Sequence, residues 1–269
     1  MFTLYDKANT SFPISTSNFP DNTLFMRLPD VAISEIKWNY ENDAELFTLI
    51  CIRRHYADCK VSLTLPYIPH ARMDRVKNED DVFTLKYFCE VINSLNFERV
   101  YVLDAHSNVA LALLNNVVQE DVFKYIKKTI ELIDANARNT VLFFPDEGAM
   151  KRYGSCINNF PYAFGIKQRD WETGEIKGLQ IVNEELLDDK NVLIIDDICS
   201  RGGTFLHSAN ALKKAKANKI YLYVTHAEPT MIYGEMYNTP ELVEEIYTTD
   251  SLFKKSLDTL DKVVVLVEE

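Results

Sequence analysis

The 269-residue sequence predicts two α/β lobes, each a mainly parallel sheet flanked by helices, on three observations. The length exceeds that of a usual single domain and suits two of ordinary size. Short β-rich runs alternate with amphipathic stretches in both halves, the pattern of parallel sheets with crossover helices. All eight glycines lie at or beyond Gly148, so the first half must turn on Asn, Asp and Pro, as at Asn18–Asn22 and Pro66–Pro69. We therefore expect lobes over residues 1–138 and 139–269.

In the first lobe Asn42 and Asp43 are expected to cap a helix that exposes Arg53 and Arg54 and buries Leu46, Phe47 and Ile50. Val61–Leu65 reads as a strand, Val82–Leu95 as a helix and Val100–Leu103 as another strand. In the second lobe Val141–Phe144, Tyr162–Ile166, Val192–Ile195 and Ile220–Val224 read as strands, and Thr204–Ala217 as a helix. Open parallel sheets bind ligands beyond the C-termini of their strands, so two such lobes are expected to share a cleft.

Composition narrows the function classes. Hydrophobic residues make up 47% and charged residues 26%, enough for a packed core without disulfides. The five cysteines are scattered and lack C-x-x-C spacing, which disfavours a disulfide framework and a zinc site and fits a reducing cytosol. Met1–Asn9 does not read as a signal peptide, and no run reaches membrane-spanning length. A net charge of -11 disfavours general binding to nucleic acid or membrane phosphates, so a soluble, cytoplasmic protein is expected.

The strongest chemical signal is Val192–Thr204. An apolar run ends in Asp196 and Asp197, and Ile198-Cys199-Ser200-Arg201-Gly202-Gly203-Thr204 then leads into a helix. Adjacent carboxylates at a strand end can accept from the vicinal hydroxyls of a ribose, and glycines let backbone N–H groups approach a phosphate at a helix N-terminus. One loop thus suits both ends of a sugar phosphate. A Walker-B metal site is the competing reading of such an acid pair, but no G-x-x-x-x-G-K-[ST] element accompanies it. An acidic turn that merely caps the next helix is the third.

Asp196–Thr204 resembles the ribose-phosphate loop of type I phosphoribosyltransferases and of ribose-phosphate diphosphokinases, which make PRPP. Pro66-Tyr67-Ile68-Pro69-His70-Ala71-Arg72-Met73-Asp74-Arg75 is similar to the diphosphokinase segment P-Y-x-x-A-R-Q-D-R, which ordinary phosphoribosyltransferases lack. Val102–His106 resembles that family's D-x-H strand end, Phe144–Gly148 its P-D-x-G segment, Lys167-Gln168-Arg169 its K-x-R, and Thr225-His226 a further T-H strand end. The resemblance runs from about Asn42 to His226, and more weakly through Tyr247–Ser251.

This resemblance implies two type I phosphoribosyltransferase-like lobes, the first for ATP and the second for the ribose phosphate. It implies a Mg2+-dependent transfer of diphosphate from ATP to the anomeric hydroxyl of ribose 5-phosphate, giving PRPP and AMP, in a homo-oligomer. Residue by residue, Lys167 and Arg169 would be catalytic; Phe19, Arg72, Asp74, Arg75 and His106 would hold ATP. His106 and Asp146 would serve the metal. Asp196, Asp197, Ser200, Arg201, Gly202, Gly203 and Thr204 would hold the acceptor. Magnesium prefers oxygen ligands, which favours Asp146 as the direct ligand and leaves His106 to act through phosphate or water.

Departures from the family pattern qualify these roles. Phe19-Pro20-Asp21-Asn22-Thr23 stands where the family has an F-x-D-G-E or F-P-G-G-E loop that reads adenine across a subunit interface, so the glycine and Glu are missing. Met73 replaces the usual Gln, and Ser200-Arg201 replaces the usual D-T before G-G-T. Phage-encoded relatives of the family act on ADP-ribose and feed NAD rebuilding, so ADP-ribose is the alternative acceptor. A PRPP-consuming phosphoribosyltransferase and a non-catalytic nucleotide-binding relative rank below both. The chain is short for that family, so allosteric control by ADP and phosphate is not carried over.

Overall fold

The structure is a computed structural model that describes residues 1–157, 159–169, 176–239, 241–253 and 262–267. It divides into two compact units, Met1–Asp121 and Val122–Glu269. The first contains β1 (Phe2–Asp6), β2 (Ser11–Pro13), β3 (Thr16–Asn18), β4 (Leu24–Met26), β5 (Ile33–Trp38), α1 (Ala44–His55), β6 (Ser62–Leu65), α2 (Thr84–Ser94), β7 (Val100–Leu103), α3 (Asn108–Leu113) and β8 (Val117–Glu120). The second contains α4 (Phe123–Leu132), β9 (Thr140–Phe144), α5 (Glu147–Tyr153), β10 (Tyr162–Arg169), β11 (Ile176–Val182), β12 (Asn191–Cys199), α6 (Gly203–Lys214), β13 (Ile220–Ala227), α7 (Glu235–Asn238), β14 (Ile246–Thr249) and β15 (Val263–Leu266).

In the first unit the sheet order is β2-β1-β5-β6-β7-β8, parallel from β5 to β8 with β1 antiparallel to both neighbours. Strands β3 and β4 form a separate hairpin. Without glycine, this unit places Asn9, Asn22, His70, Asn96, Asp104 and Asn116 in the left-handed backbone region, where the short polar side chains of Asn and Asp cost least. The core is anchored by Trp38, which is fully buried, stacks on Phe2 with ring centroids 5.5 Å apart and donates from Nε1 to Glu45 Oε2 at 2.9 Å.

The second sheet has the order β11-β10-β9-β12-β13-β14-β15, parallel except for the β10–β11 pair. Central β12 is buried without interruption from Val192 to Ile195, because helices and loops cover both faces of a parallel sheet. Phe205, Ala209 and Leu212 of α6 recur at helical spacing and pack into the same core.

Four features differ from the sequence expectations. The described chain divides at Asp121/Val122 rather than 138/139, because α4 goes with the second unit; an amphipathic helix does not declare from its own period which sheet receives it. Phe47 is 60% exposed, and α1 instead buries Thr48, Leu49 and Ile52, with Leu46 and Ile50 partly covered. The two stripes share a spacing but lie about 200° apart on the helix, so packing decides between them. Of the two expected caps, Asn42 accepts from the Ala44 amide at 3.1 Å, while Asp43 accepts from Tyr40 Oη at 2.9 Å and makes no side-chain cap. Finally, β12 continues through the acid pair to Cys199 and β10 continues through Lys167 to Arg169, since ladder hydrogen bonds do not require apolar side chains.

Candidate active site

The chemistry-bearing residues of the second unit gather at the C-terminal ends of its parallel strands, where the half-paired backbone can face a ligand. Asp146 follows β9 and caps α5, accepting from the Ala149 amide at 3.1 Å. On the neighbouring strand β12, Asp197 is 5% exposed and accepts from Arg152 Nη1 of α5 at 3.2 Å. Asp196 is half-buried and its Oδ1 accepts from the Asp197 amide at 3.0 Å. Burial holds the Asp196 carboxyl well above the usual carboxylate range, and the negative charges of Asp197 and Asp146 push the same way.

Beyond the acid pair the chain turns through Ser200 and Arg201 into α6. Gly202 is the N-cap and takes φ 75°, a left-handed conformation that favours glycine. No side chain caps this twelve-residue helix, so its first amides offer the partial positive charge and donors that suit a phosphate. Arg201 and Gly203 are exposed, Thr204 and Ser200 partly so. Gly165 permits another close approach: a Cβ there would stand 2.8 Å from the Pro145 carbonyl, so β10 lies against the segment that carries Asp146.

Lys167 and Arg169 have their backbone in β10, opposite Leu179 and Ile176 of β11; their side chains lie outside the described residues, as do Asp170 and the Thr173-Gly174 turn. At the end of β13, Thr225 and His226 belong to a buried network. His226 Nδ1 is 2.8 Å from Ser251 Oγ, and Thr249 Oγ1 donates to the Thr225 carbonyl at 2.7 Å. That network ties the T-H strand end to the Tyr247–Ser251 segment.

In the first unit, the Arg72–Arg75 segment and His106 follow adjacent parallel strands, β6 and β7. Arg72 and Arg75 are exposed, and Arg75 Nε lies 3.6 Å from Asp74 Oδ1. His106 is half-buried just past Asp104, itself in a left-handed conformation with φ 45°. Phe19 sits on the β3–β4 turn, 50% exposed and edge-to-face with Phe25 at 5.3 Å. Among the described residues, no group of three or more His, Cys, Asp or Glu is arranged to hold a metal ion. Asp146, Asp196 and Asp197 still offer the hard oxygen donors that magnesium takes in ones and twos, with substrate phosphates and water completing its shell.

Sequence reasoning missed Arg152, whose pairing with Asp197 spans 45 positions, and also Thr230, Gly234 and Met236, which touch the Ser200–Gly202 loop. Arg152 reads only as a basic residue suited to a helix C-terminus, and nothing local ties the other three to the loop.

A strand-loop-helix with this acid pair and uncapped helix N-terminus suits a sugar phosphate. The family model described as "Phosphoribosyl transferase domain" matches residues 115–250, just over half of the sequence, and the chain belongs to that family. Curated relatives named ribose-phosphate pyrophosphokinase include one from Sulfurisphaera tokodaii, 25% identical over 250 residues that cover 87% of this chain and 82% of the relative. Another, from Pyrococcus furiosus, is 23% identical over 248 residues, covering 89% and 86%. A crystal structure of phosphoribosylpyrophosphate synthetase from Mycobacterium smegmatis shares the fold with a TM-score of 0.77 over 95% of this chain and 86% of its own, at 17% identity. Within that family, the chain is thus similar over most of its length to proteins named ribose-phosphate pyrophosphokinase and shares the fold of a phosphoribosylpyrophosphate synthetase. Among the described residues, no helix is long and apolar enough to cross a membrane.

Proposed function

We propose that this enzyme transfers the β,γ-diphosphate of ATP to the anomeric hydroxyl of ribose 5-phosphate, releasing AMP and PRPP. The observation that carries this reading is the Asp196–Thr204 segment, in which carboxylates for ribose hydroxyls lead directly into an uncapped helix N-terminus for the 5′-phosphate. Such a terminus contributes about 0.3–1 kcal/mol toward an anion, and more where it is partly buried. Arg72 and Arg75 neutralise the triphosphate, Asp74 beside Arg75 and His106 after the neighbouring strand β7 complete the ATP contacts, and Phe19 offers a face to adenine. Lys167 and Arg169 stabilise the charge that spreads over the transferred group. Asp146 would hold magnesium, which would supply further charge neutralisation when bound.

ADP-ribose is a second acceptor worth testing, because the exposed Arg201 lies in the loop proposed to meet the acceptor's 5′ substituent. Its guanidinium would meet a diphosphate as readily as a terminal phosphate. The test is incubation with ATP, Mg2+ and each acceptor, with products identified by mass. AMP released only when an acceptor with a free anomeric hydroxyl is present supports the reading; ADP as the product makes the protein an ordinary kinase and overturns it.

A further inference from the structure

The phosphate loop is held from behind by one short segment. The Glu228 amide donates to the Cys199 carbonyl at 2.8 Å, and Ser200 Oγ lies 3.3 Å from Thr230 Oγ1. Thr230 Oγ1 also donates to Glu228 Oε2 at 3.3 Å, which fixes the hydroxyl facing Ser200. Behind Gly202, Met236 is buried, with its Cε 3.0 Å from where a Cβ on that glycine would stand.

Gly234 is the tightest point. Its own backbone, at φ -82° and ψ 151°, is one that any residue adopts, so conformational freedom does not explain a glycine there. A Cβ at this position would stand 1.9 Å from the Arg201 carbonyl oxygen and 2.8 Å from its carbon, so close approach does. The glycine is itself locked: its carbonyl accepts from Asn238 Nδ2 at 2.8 Å, and its amide donates to the Met231 carbonyl at 3.0 Å.

We propose that Glu228–Met236 is a positioning brace for the acceptor site, with Gly234 and Thr230 holding the backbone of Ser200–Gly202 in its phosphate-receiving form before ligand arrives. Preforming a loop spares the acceptor the cost of ordering it, so the brace sets acceptor affinity and leaves ATP affinity alone. This rests on the reading of the Asp196–Thr204 loop as the acceptor site, and it assigns a role to a segment outside the residues proposed to meet either substrate.

The test compares wild type, Gly234→Ala, Thr230→Val and Thr230→Ser. Calorimetry measures binding of ribose 5-phosphate and of ADP-ribose without turnover, and steady-state kinetics give KM for acceptor and ATP alongside kcat. Gly234→Ala must push the Arg201 carbonyl away and should weaken acceptor binding by about 10- to 100-fold, the scale of losing a preorganised charge-assisted contact or two, with ATP KM within about twofold of wild type. Thr230→Val removes one hydroxyl at nearly constant volume and should weaken it about three- to tenfold, and Thr230→Ser should restore it. Acceptor binding unchanged in both Gly234→Ala and Thr230→Val, or acceptor and ATP affinity falling together in Thr230→Val, overturns the brace. If wild type binds an acceptor but forms no product with ATP, the diphosphoryl-transfer reading fails, while the binding ratios still decide the brace.

Discussion

Arg152 Nη1 lies 3.2 Å from Asp197 Oδ2, joining the last turn of α5 to the end of β12 through an aspartate that is 5% exposed. Removing one member of a buried pair costs more than the pair contributes, because the remaining charge stays out of water. Arg152 is partly solvated, which discounts that cost. Arg152→Ala should therefore lower unfolding free energy by about 1–3 kcal/mol in urea titrations at pH 7, and weaken acceptor binding as Asp197 loses its orientation. A denaturation midpoint equal to wild type would mean that this pair does not hold the strand end.

The raised pKa of Asp196 predicts a stability cost at neutral pH. Its folded-state carboxyl holds its proton more tightly than the ordinary value of 3.8, chiefly through burial and then through Asp197 and Asp146. Well below that value both folded and unfolded chains are protonated and the group is neutral to stability. As pH rises the unfolded chain ionises first, so stability falls until the folded carboxyl ionises too. Asp196→Asn, measured in EDTA, should raise the thermal midpoint at pH 7, with the difference vanishing near about pH 3. Acceptor kcat/KM should fall in the same variant, since an amide accepts at only one atom. A midpoint that drops at pH 7 would contradict the electrostatic account of this site.

Lys167→Ala should lower turnover by about 100- to 1,000-fold, the usual loss for one preorganised transition-state donor, with circular dichroism and melting unchanged. Near-normal kcat with both substrates saturating would remove Lys167 from the mechanism.

Arg201→Thr separates the two acceptors. With ribose 5-phosphate as the natural acceptor, the substitution should weaken activity by about tenfold through one lost charge-assisted hydrogen bond, without redirecting it. With ADP-ribose as the natural acceptor, wild type should prefer it, and the variant should shift toward the smaller phosphate. The ratio of kcat/KM values for the two acceptors, in wild type and variant, reads this directly. An unchanged ratio would show that Arg201 does not set specificity.

Much of this architecture was legible because its causes are local. Apolar runs such as Val192–Ile195 and the spaced apolar residues of α6 need only neighbours a few positions away to declare strand and helix. The glycine-free first half leaves its turns to Asn, Asp and Pro, and the structure places Asn9, Asn22, Asn96, Asp104 and Asn116 in the left-handed region.

What could not be read locally depends on which surfaces meet. Phe47 reads as apolar and inward, yet α1 buries the stripe about 200° away, because the sheet it packs on selects the face. Helix α4 goes with the second unit although nothing in its own period assigns it there. Arg152 reaches Asp197 across 45 positions, and Gly234 must lack a side chain only because the Arg201 carbonyl, 33 positions earlier, lies where one would stand. Chain proximity orders local geometry through a few dihedrals, whereas these contacts exist only once β9, β12 and β13 are laid side by side, so tertiary packing alone decides them.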